Sequence, residues 1–493
     1  MNISIIRCIL GFVLKIEGIL MLLPCLTAII YNEHQGYSYL SVAICSFIIG
    51  HLFTIKKPKS NIFYLKEGCV ATASSWILMS IMGAIPFMLT GEIPSFTDAL
   101  FEIISGFTTT GSSILSDVEA LSHTSLMWRS FSHWIGGMGV LVFVLAILPL
   151  NGGSHMNLMK AESPGPSVGK LVPKVQSTAQ ILYGLYILLT IIQFLLLVIG
   201  KMPVFDAITL TFGTAGTGGF GIKNDSIASY TAYQQWVITI FMMLFGVNFN
   251  FYYFLLFRQF KKAFRIEEVR YYVGIILAAV TIIFFNTLHM APNASTALRD
   301  AAFQVGAVIT TTGYSTTNFD LWPTISKTVL VMLMFLGACA GSTGGGMKVS
   351  RLVLLLKTVK KELLSYIHPK SVRTITFEHK SVENEVIRST TVFFITYILL
   401  FTGSIFLVAL DGEDLVTTFT AVVATFNNIG PGLEAVGPVC NFGHLSVLSK
   451  WVLMFDMLAG RLELFPMLLL FHPTIYKEAF KGIFRKKRKS STC

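Results

Sequence analysis

Charged residues are scarce in this 493-residue chain: Asp, Glu, Lys and Arg together make up 13% of it, whereas a soluble domain has about 25%. This scarcity excludes an ordinary soluble enzyme. The seven cysteines show no Cys-x-x-Cys spacing, and most of them lie in apolar runs. We therefore expect neither a disulfide framework nor a zinc site.

Catalytic patterns are missing as well. The sequence has no His-Glu-x-x-His motif and no arrangement of carboxylates, or of nucleophile and base, that indicates catalysis. We therefore predict that the chain is not an enzyme and carries no organic cofactor. Nucleotide binding, if the system requires it, would come from a separate subunit.

Apolar residues dominate instead, at 53% of the chain and a mean hydropathy of +0.68. A bilayer core needs about 20 apolar residues for each spanning helix, and runs of about a dozen indicate re-entrant segments. Ten stretches are long enough to span: 3–31, 37–55, 68–91, 128–150, 181–200, 233–257, 272–290, 325–347, 390–410 and 450–471. Four runs are shorter: 98–110, 206–218, 300–312 and 417–429. The predicted fold is an all-α integral membrane protein with ten transmembrane helices and four re-entrant pore helices.

Lys and Arg are distributed unevenly among the connections between these spans. The connections on one side contain 27 of them and those on the other side contain five. Because the Lys- and Arg-rich side of a membrane protein faces the cytoplasm, ten spans place both termini there. The net charge of +11 and the basic tail 476–493 indicate contact with anionic membrane lipid rather than with nucleic acid.

The four short runs are copies of one another. In the first three an aspartate precedes a glycine by thirteen residues, and in the fourth a threonine replaces the aspartate. The pairs are Asp98 and Gly111, Asp206 and Gly219, Asp300 and Gly313, and Thr417 and Gly430. Because every unit contains an even number of crossings, the pattern predicts four parallel span–pore loop–span repeats around one pore and one axis along the membrane normal. The expected divisions are an additional helix pair at 1–60, repeats at 61–155, 175–260, 268–365 and 385–475, and the tail 476–493.

The short runs have the properties of a cation filter. A twelve-residue helix is about 18 Å long and reaches about halfway into the bilayer, with the negative end of its dipole pointing inward. Unwound backbone at that depth must lie inside protein or along a water-filled path, and rings of carbonyls can replace the hydration shell of an ion. For a single turn, close helix packing by small residues is the alternative. Four copies at one offset favour a filter.

Two further features lie on the inner side of the predicted filter. The loop 337–346 contains five glycines, each of which costs a helix about 1 kcal/mol relative to Ala, so the span is interrupted there by a packing kink or by a mobile gate that includes Gly344, Gly345 and Gly346. Arg461 places a charge at mid-membrane, at a cost of about 2.5–3.5 kcal/mol. Arg461 either forms a structural salt bridge to another span or places a positive charge in the permeation path.

The fourfold span–pore loop–span pattern, with one glycine in each turn, resembles the Trk/Ktr/HKT superfamily of potassium transporters. The additional helix pair and the motif Gly-Ala-Cys-Ala-Gly-Ser-Thr-Gly-Gly-Gly-Met-Lys at 337–348 are similar to the bacterial Trk-type membrane subunit in particular. The resemblance covers essentially the whole chain. It implies that 337–346 is the loop that obstructs ion passage. It also implies a homodimer with one pore in each protomer, and a cytosolic nucleotide-binding Trk regulatory subunit for which the basic segments 258–271 and 351–388 are candidate docking surfaces.

The resemblance also implies which residues line the ion path. The K⁺-lining positions are the two residues before each filter glycine: Thr109, Thr110, Thr217, Gly218, Thr311, Thr312, Asn428 and Ile429. The glycines themselves are Gly111, Gly219, Gly313 and Gly430, although Gly218 is an alternative to Gly219 in the second repeat. Related plant transporters that favour sodium often carry Ser at the first of these positions, so glycine at all four argues for potassium.

The leading hypothesis is therefore potassium uptake across the bacterial inner membrane, with K⁺ as the transported ion. A sodium-selective or ion-coupled symporter of the same architecture is the second hypothesis. An integral membrane enzyme is the third, and the absence of a catalytic constellation argues against it.

Overall fold

The computed structural model describes residues 1–56, 64–139, 175–371, 373–378, 380–475 and 477. The basic tail 476–493 therefore lies almost entirely outside the described residues, as does the second half of the predicted span 128–150.

The described part of the chain folds into nineteen α-helices and one small hairpin. The helices of the first half are α1 (Ile3–Leu20), α2 (Leu22–Tyr31), α3 (Gly36–Ile55), α4 (Leu65–Thr90), α5 (Phe96–Phe107), α6 (His123–Gly137), α7 (Val175–Ile199), α8 (Val204–Gly216), α9 (Ala232–Phe245), α10 (Phe249–Leu256) and α11 (Phe260–Ala263). Those of the second half are α12 (Glu267–Thr287), α13 (Ala294–Ile309), α14 (Thr324–Leu336), α15 (Val349–Ile367), α16 (Asn384–Val408), α17 (Leu415–Phe426), α18 (Val447–Arg461) and α19 (Phe465–Leu470). Strands β1 (Thr376–Phe377) and β2 (Lys380–Ser381) form an antiparallel hairpin in which Thr376 pairs with Ser381.

Six stretches of helix within the described residues are long and apolar enough to cross a membrane. They are Ile3–Tyr31, Gly36–Ile55, Leu65–Thr90, Ala179–Ile199, Glu267–Thr287 and Asn384–Asp411. Helices α9 and α10 make a seventh if they are counted together, but they are bent by 93°. These helices fit a multi-pass membrane protein.

The predicted spans 233–257, 325–347 and 450–471 are not single straight helices. The first breaks between α9 and α10, the second ends at Leu336, and the third ends at Arg461 before the short helix α19. Glycine follows directly at the first two of these breaks, as Gly246 and Gly337. The break after Leu336 confirms the interruption that the glycines of 337–346 predicted, whereas hydropathy did not reveal the break at Gly246, because the sequence on both sides of it is apolar.

Four units of the chain share one arrangement, in which a long helix, a short helix, a loop and a second helix follow one another. The units are α4–α5–α6, α7–α8–α9, α12–α13–α14 and α16–α17–α18. In every unit the short helix packs against both of its neighbours in the chain. The additional helix pair α1 and α3 lies outside this pattern, and α1 packs against α4 of the first unit.

The four units are joined in a closed cycle. The second helix of each unit packs against the short helix of the next one, through the pairs α6 and α8, α9 and α13, and α14 and α17. The fourth unit returns to the first, because α18 packs against α5. The short helices therefore surround one common centre.

Burial follows from this cycle. In α17 every residue from Thr417 to Phe426 except Phe419 is buried, and a helix that is apolar all round is expected to be enclosed by others. The outer helix α16 is different, since Leu399 and Phe406 are about 70% exposed. Large apolar side chains that are exposed on the outer helices suit a surface that faces lipid.

Candidate functional site

Each short helix ends in the same pair of hydrogen bonds. The N–H of the residue before the glycine donates to a carbonyl five residues earlier: Thr110 to Ser105, Gly218 to Gly213, Thr312 to Ala307, and Ile429 to Ala424, at 2.7–2.8 Å. The N–H of the residue before that one donates to a carbonyl three residues earlier, at 3.0–3.2 Å in all four units. These bonds close the helix in the manner of a Schellman cap.

The capping residue has a left-handed backbone in every unit. These residues are Thr109, Thr217, Thr311 and Asn428, with φ between 55° and 59°. Threonine is β-branched, and a left-handed conformation costs such a residue about 1–2 kcal/mol. Strain of this kind, repeated at equivalent positions, indicates a functional constraint on the backbone.

The four glycines bring the loops together in a ring. Their φ values are +83° at Gly111, +79° at Gly219, +81° at Gly313 and +110° at Gly430. A Cβ added at any of the first three would overlap a backbone carbonyl oxygen of the next loop, namely that of Gly218, Thr312 and Ile429 respectively. A Cβ added at Gly430 would lie 2.9 Å from the carbonyl oxygen of Thr110, so the fourth loop contacts the first.

The ring also distinguishes the two registers of the second loop. Gly219 has the positive φ and the contact with the next loop that characterise the other three glycines. Gly218 supplies the carbonyl that contacts Gly111. The structure thus places Gly219, and not Gly218, at the position equivalent to the other glycines.

The ring presents carbonyl oxygens without protein donors. Within the described residues, no N–H or O–H group donates to the carbonyl oxygens of the two residues before each glycine. All eight of these residues are buried, and seven of them have no exposed surface. Buried carbonyls nearly always have partners, and a dehydrated cation is one that carbonyl rings accept.

All four glycines line the same cavity, which lies on one side of the ring. Its walls come from the residues that follow them, including Ser112, Phe220, Ser315 and Pro431. The described residues contain no cluster of three or more His, Cys, Asp and Glu side chains that could hold a metal ion. The ring therefore offers a cation neutral oxygen atoms rather than carboxylates.

The loop 337–346 lies on the other side of the ring. The N–H of Gly345 donates to Oγ1 of Thr311 at 2.6 Å. A Cβ at Gly345 would lie 2.7 Å from the carbonyl oxygen of Asn427, and one at Gly344 would lie 2.9 Å from that of Thr310. The loop is thus in direct contact with the third and fourth filter loops.

Two cationic side chains hold this loop. Nη1 of Arg461 donates to the carbonyl of Thr343 at 2.9 Å, and Nη2 donates to that of Gly137 at 2.8 Å and also to that of Gly136. Arg461 therefore joins the loop to the end of α6. Lys348 is 1% exposed, and its Nζ donates to the carbonyl of Gly344.

The loop also fills the break between α9 and α10. The N–H of Cys339 donates to the carbonyl of Gly246 at 3.0 Å, and the N–H of Phe249 donates to the carbonyl of Gly341 at 3.0 Å. Backbone groups that the broken helix cannot satisfy are thus satisfied by the loop. These hydrogen bonds therefore stabilise both the bend of 93° between α9 and α10 and the position of the loop.

Known proteins resemble the chain over nearly its whole length. The family model described as "TrkH: Cation transport protein" matches residues 38–480. The chain belongs to the TrkH family. It is 35% identical over 488 residues to the Trk system potassium uptake protein TrkH of Salmonella typhimurium, covering 97% of this chain and 100% of that protein. The corresponding protein of Escherichia coli is 34% identical over 489 residues, with the same coverage.

A solved structure agrees with this membership. The crystal structure of the potassium transporter TrkH from Vibrio parahaemolyticus has a TM-score of 0.86 and 31% sequence identity, covering 96% of this chain and 99% of that one. Members of the TrkH family are transporters, so the chain is a multi-pass membrane transporter and not an enzyme.

Among the residues predicted from the sequence, the twelve of the four filter loops meet in the ring. Gly344 and Gly345 lie directly against it, and Gly346 has a φ of +71° and lies against Gly337 at the start of the loop. Arg461 contacts the same loop. Its guanidinium donates to the backbone carbonyls of Thr343, Gly136 and Gly137, so it is not an unattached charge.

Sequence reasoning missed an ion pair behind the ring. Glu102 on α5 and Arg129 on α6 are 0% and 2% exposed, with 2.7 Å between Oε1 and Nη2. The guanidinium also lies 4.1 Å from the ring centroid of Phe220 in the second loop. Charged residues inside apolar helices were the signal that could have found this pair.

His133, one turn after Arg129, joins the same two units. Its Nε2 accepts a hydrogen bond from the N–H of Phe220 at 3.2 Å, so its Nδ1 carries the proton and donates to the carbonyl of Gly106 at 2.8 Å. The fourth and first loops are joined without charges, since Nδ2 of Asn428 donates to Oγ1 of Thr110 at 3.0 Å. The side-chain contacts that join neighbouring loops of the ring therefore differ from one pair of loops to the next.

Proposed function

We propose that this chain is the potassium-conducting pore subunit of a Trk-type uptake system in a bacterial inner membrane. The observation that carries the proposal is the closed ring of four loops, in which the carbonyl oxygens before each glycine receive no hydrogen bond from the part of the chain that the structure describes. Its relatives in Salmonella typhimurium and Escherichia coli are named potassium uptake proteins. The complete topology of the proposal has ten transmembrane helices, four re-entrant pore helices and both termini in the cytoplasm.

The proposed path starts at the cavity lined by the four glycines, which opens to the outside. A potassium ion sheds water there and enters the ring, where the carbonyls of Thr109, Thr110 and their equivalents replace its hydration shell. The carboxyl ends of four short helices point at this centre, and their partial negative charges favour a cation. The loop 337–346 and Arg461 close the path on the inner side.

Uptake of radioactive rubidium, a potassium analogue, into liposomes containing the purified chain tests this function. We expect excess K⁺ to suppress rubidium uptake, and we expect the same concentration of Na⁺ to leave it unchanged. Equal suppression by Na⁺ would contradict potassium selectivity and favour the sodium-selective hypothesis. Uptake that requires an imposed proton gradient would favour an ion-coupled symporter.

The assembly is part of the same proposal. Two protomers would each contain one pore, and a cytosolic nucleotide-binding regulatory subunit would dock on the basic segments 258–271 and 351–388. The measured mass of the purified chain in detergent tests the dimer. Charge-reversing substitutions at Lys360 and Lys361, which lie on α15, test the docking surface by loss of co-purification.

A further inference from the structure

Two adjacent carboxylates begin helix α12, and the second of them is tied to the loop 337–346. Glu268 is 3% exposed. Its Oε1 accepts hydrogen bonds from the N–H of Ala340 at 2.7 Å and from the N–H of Ser350 at 3.0 Å. One of these donors lies within the loop and the other in the first turn of α15, so a single carboxylate holds both sides of the loop.

The other carboxylate of the pair points to the hairpin. Oε1 of Glu267 lies 2.5 Å from Nζ of Lys357 on α15, and the same Nζ donates to the carbonyl of Thr376 at 2.8 Å. The N–H of Glu378, in the turn of the hairpin, donates to Oε2 of Glu267 at 3.4 Å. The hairpin in turn contacts the loop-bound residue, because the N–H of Glu268 donates to Oε1 of Glu378 at 3.2 Å.

These contacts form a continuous chain from the hairpin to the underside of the filter. It runs from Thr376 through Lys357 and Glu267 to Glu268, and from there to the N–H of Ala340 in the loop that contacts Thr311. Hydrogen bonds from backbone N–H groups to a carboxylate are among the stronger ones in proteins. Because Glu267 and Glu268 occupy one helical turn, a shift of that turn acts on the hairpin and the loop together.

We infer that the Glu267–Glu268 pair couples the hairpin to the loop, so that the position of the hairpin sets how firmly the loop closes the path. Glu268 is then a positioning residue for the gate and the hairpin is its input from the proposed cytoplasmic side. This inference rests on the proposed function, since it assigns a regulatory route to the same gate.

Glu268→Gln tests the loop end of the route. The variant keeps the shape of the side chain and one oxygen that can accept the same two N–H groups, but it loses the charge that strengthens both hydrogen bonds. We expect rubidium uptake by liposomes to rise about fivefold or more, the lower range of ordinary allosteric coupling, with an unchanged K⁺/Na⁺ ratio. Glu434→Gln, at an exposed residue outside both proposed docking segments, is the matched control. Folded Glu268→Gln protein whose uptake does not rise would show a merely structural role and would overturn the inference.

Lys357→Met tests the hairpin end, with Lys56→Met, at an exposed residue outside both proposed docking segments, as its control. Lys357→Met should also raise uptake, and the double variant Glu268→Gln/Lys357→Met should rise by less than the product of the two single effects. Multiplicative effects would show that the two ends act independently and would overturn the coupling. If Glu268→Gln yields no folded protein, Lys357→Met decides alone, and unchanged uptake overturns the inference.

The wild-type chain separates this inference from the proposed function. Absence of rubidium uptake by the wild type would reject the proposed function itself. Normal wild-type uptake together with unchanged uptake in both variants would reject only the coupling.

Discussion

The ring of filter loops and the loop 337–346 touch each other but are held in different ways. The ring repeats one backbone arrangement four times, with the same hydrogen bonds and the same two left-handed positions in every unit. The loop occurs once and depends on the side chains of Arg461, Lys348 and Glu268. Backbone hydrogen bonds keep the carbonyl positions of the ring constant, which suits selection between ions. A loop held by a few side chains can leave the path when those contacts break, which suits a gate.

This difference divides the expected effects of substitutions into two groups. Changes in the ring or behind it should alter stability or the choice of ion. Changes at the ties of the loop should alter the rate of transport and leave the choice of ion unchanged.

The largest effect is expected from Arg129→Met, which leaves Glu102 buried without its partner. Breaking a buried ion pair costs about 3–5 kcal/mol, so the thermal unfolding midpoint in detergent should fall sharply. Arg388→Met, at a side chain 77% exposed, is the control. The double variant Glu102→Leu/Arg129→Met should recover most of the loss, because apolar replacement of both partners removes the buried charge. If Arg129→Met were as stable as the wild type, the Glu102–Arg129 ion pair would not stabilise the ring.

The next effect concerns selection between ions and is expected from Gly313→Ser. The φ of +81° costs a residue with a side chain about 1–2 kcal/mol, and the new Cβ would displace the carbonyl of Ile429. The K⁺/Na⁺ ratio of uptake should fall about thirtyfold, equivalent to ~2 kcal/mol. Gly274→Ser on α12, where a Cβ would meet nothing within 4 Å, is the matched control. An unchanged K⁺/Na⁺ ratio would show that Gly313 does not contribute to ion selection.

The repeated part of the molecule was the part that the sequence could predict. The short runs beginning at Asp98 and Asp300 correspond to α5 and α13, because a buried helix of about a dozen residues leaves an apolar run between turn signals. The thirteen-residue offset to the glycine then identified the turns. Repetition supplied the information that no single run carries.

The unrepeated part could not be predicted in the same way. The break between Phe245 and Phe249 lies in an apolar stretch, and it is stabilised by a bond from Cys339, almost a hundred residues later in the chain. Lys348 belongs to the motif that identified the loop, but only the fold brings its Nζ to the carbonyl of Gly344. Contacts of this kind depend on tertiary packing, which local hydropathy does not encode.

Among the ties of the loop, Arg461→Ala should have the largest effect on rate. It removes the bond to Thr343 and the positive charge beside the proposed path, so rubidium uptake should rise about tenfold, equivalent to ~1.4 kcal/mol. The K⁺/Na⁺ ratio should stay at the wild-type value, with Arg388→Ala as the control. Loss of folded protein without increased uptake would instead assign Arg461 a purely structural role.

The smallest effect is expected from Thr311→Val, a residue that belongs to both regions. Its carbonyl lies in the ring, but its Oγ1 accepts the hydrogen bond from Gly345 in the loop. Valine keeps the branched shape and removes this acceptor, at a cost of about 1 kcal/mol, so uptake should rise a few-fold with an unchanged K⁺/Na⁺ ratio. Thr328→Val, on α14 and bonded only to its own helix through the carbonyl of Thr324, is the control. A changed ratio would show that the side chain of Thr311 acts on the ring itself, and the separation between the two regions would fail at this residue.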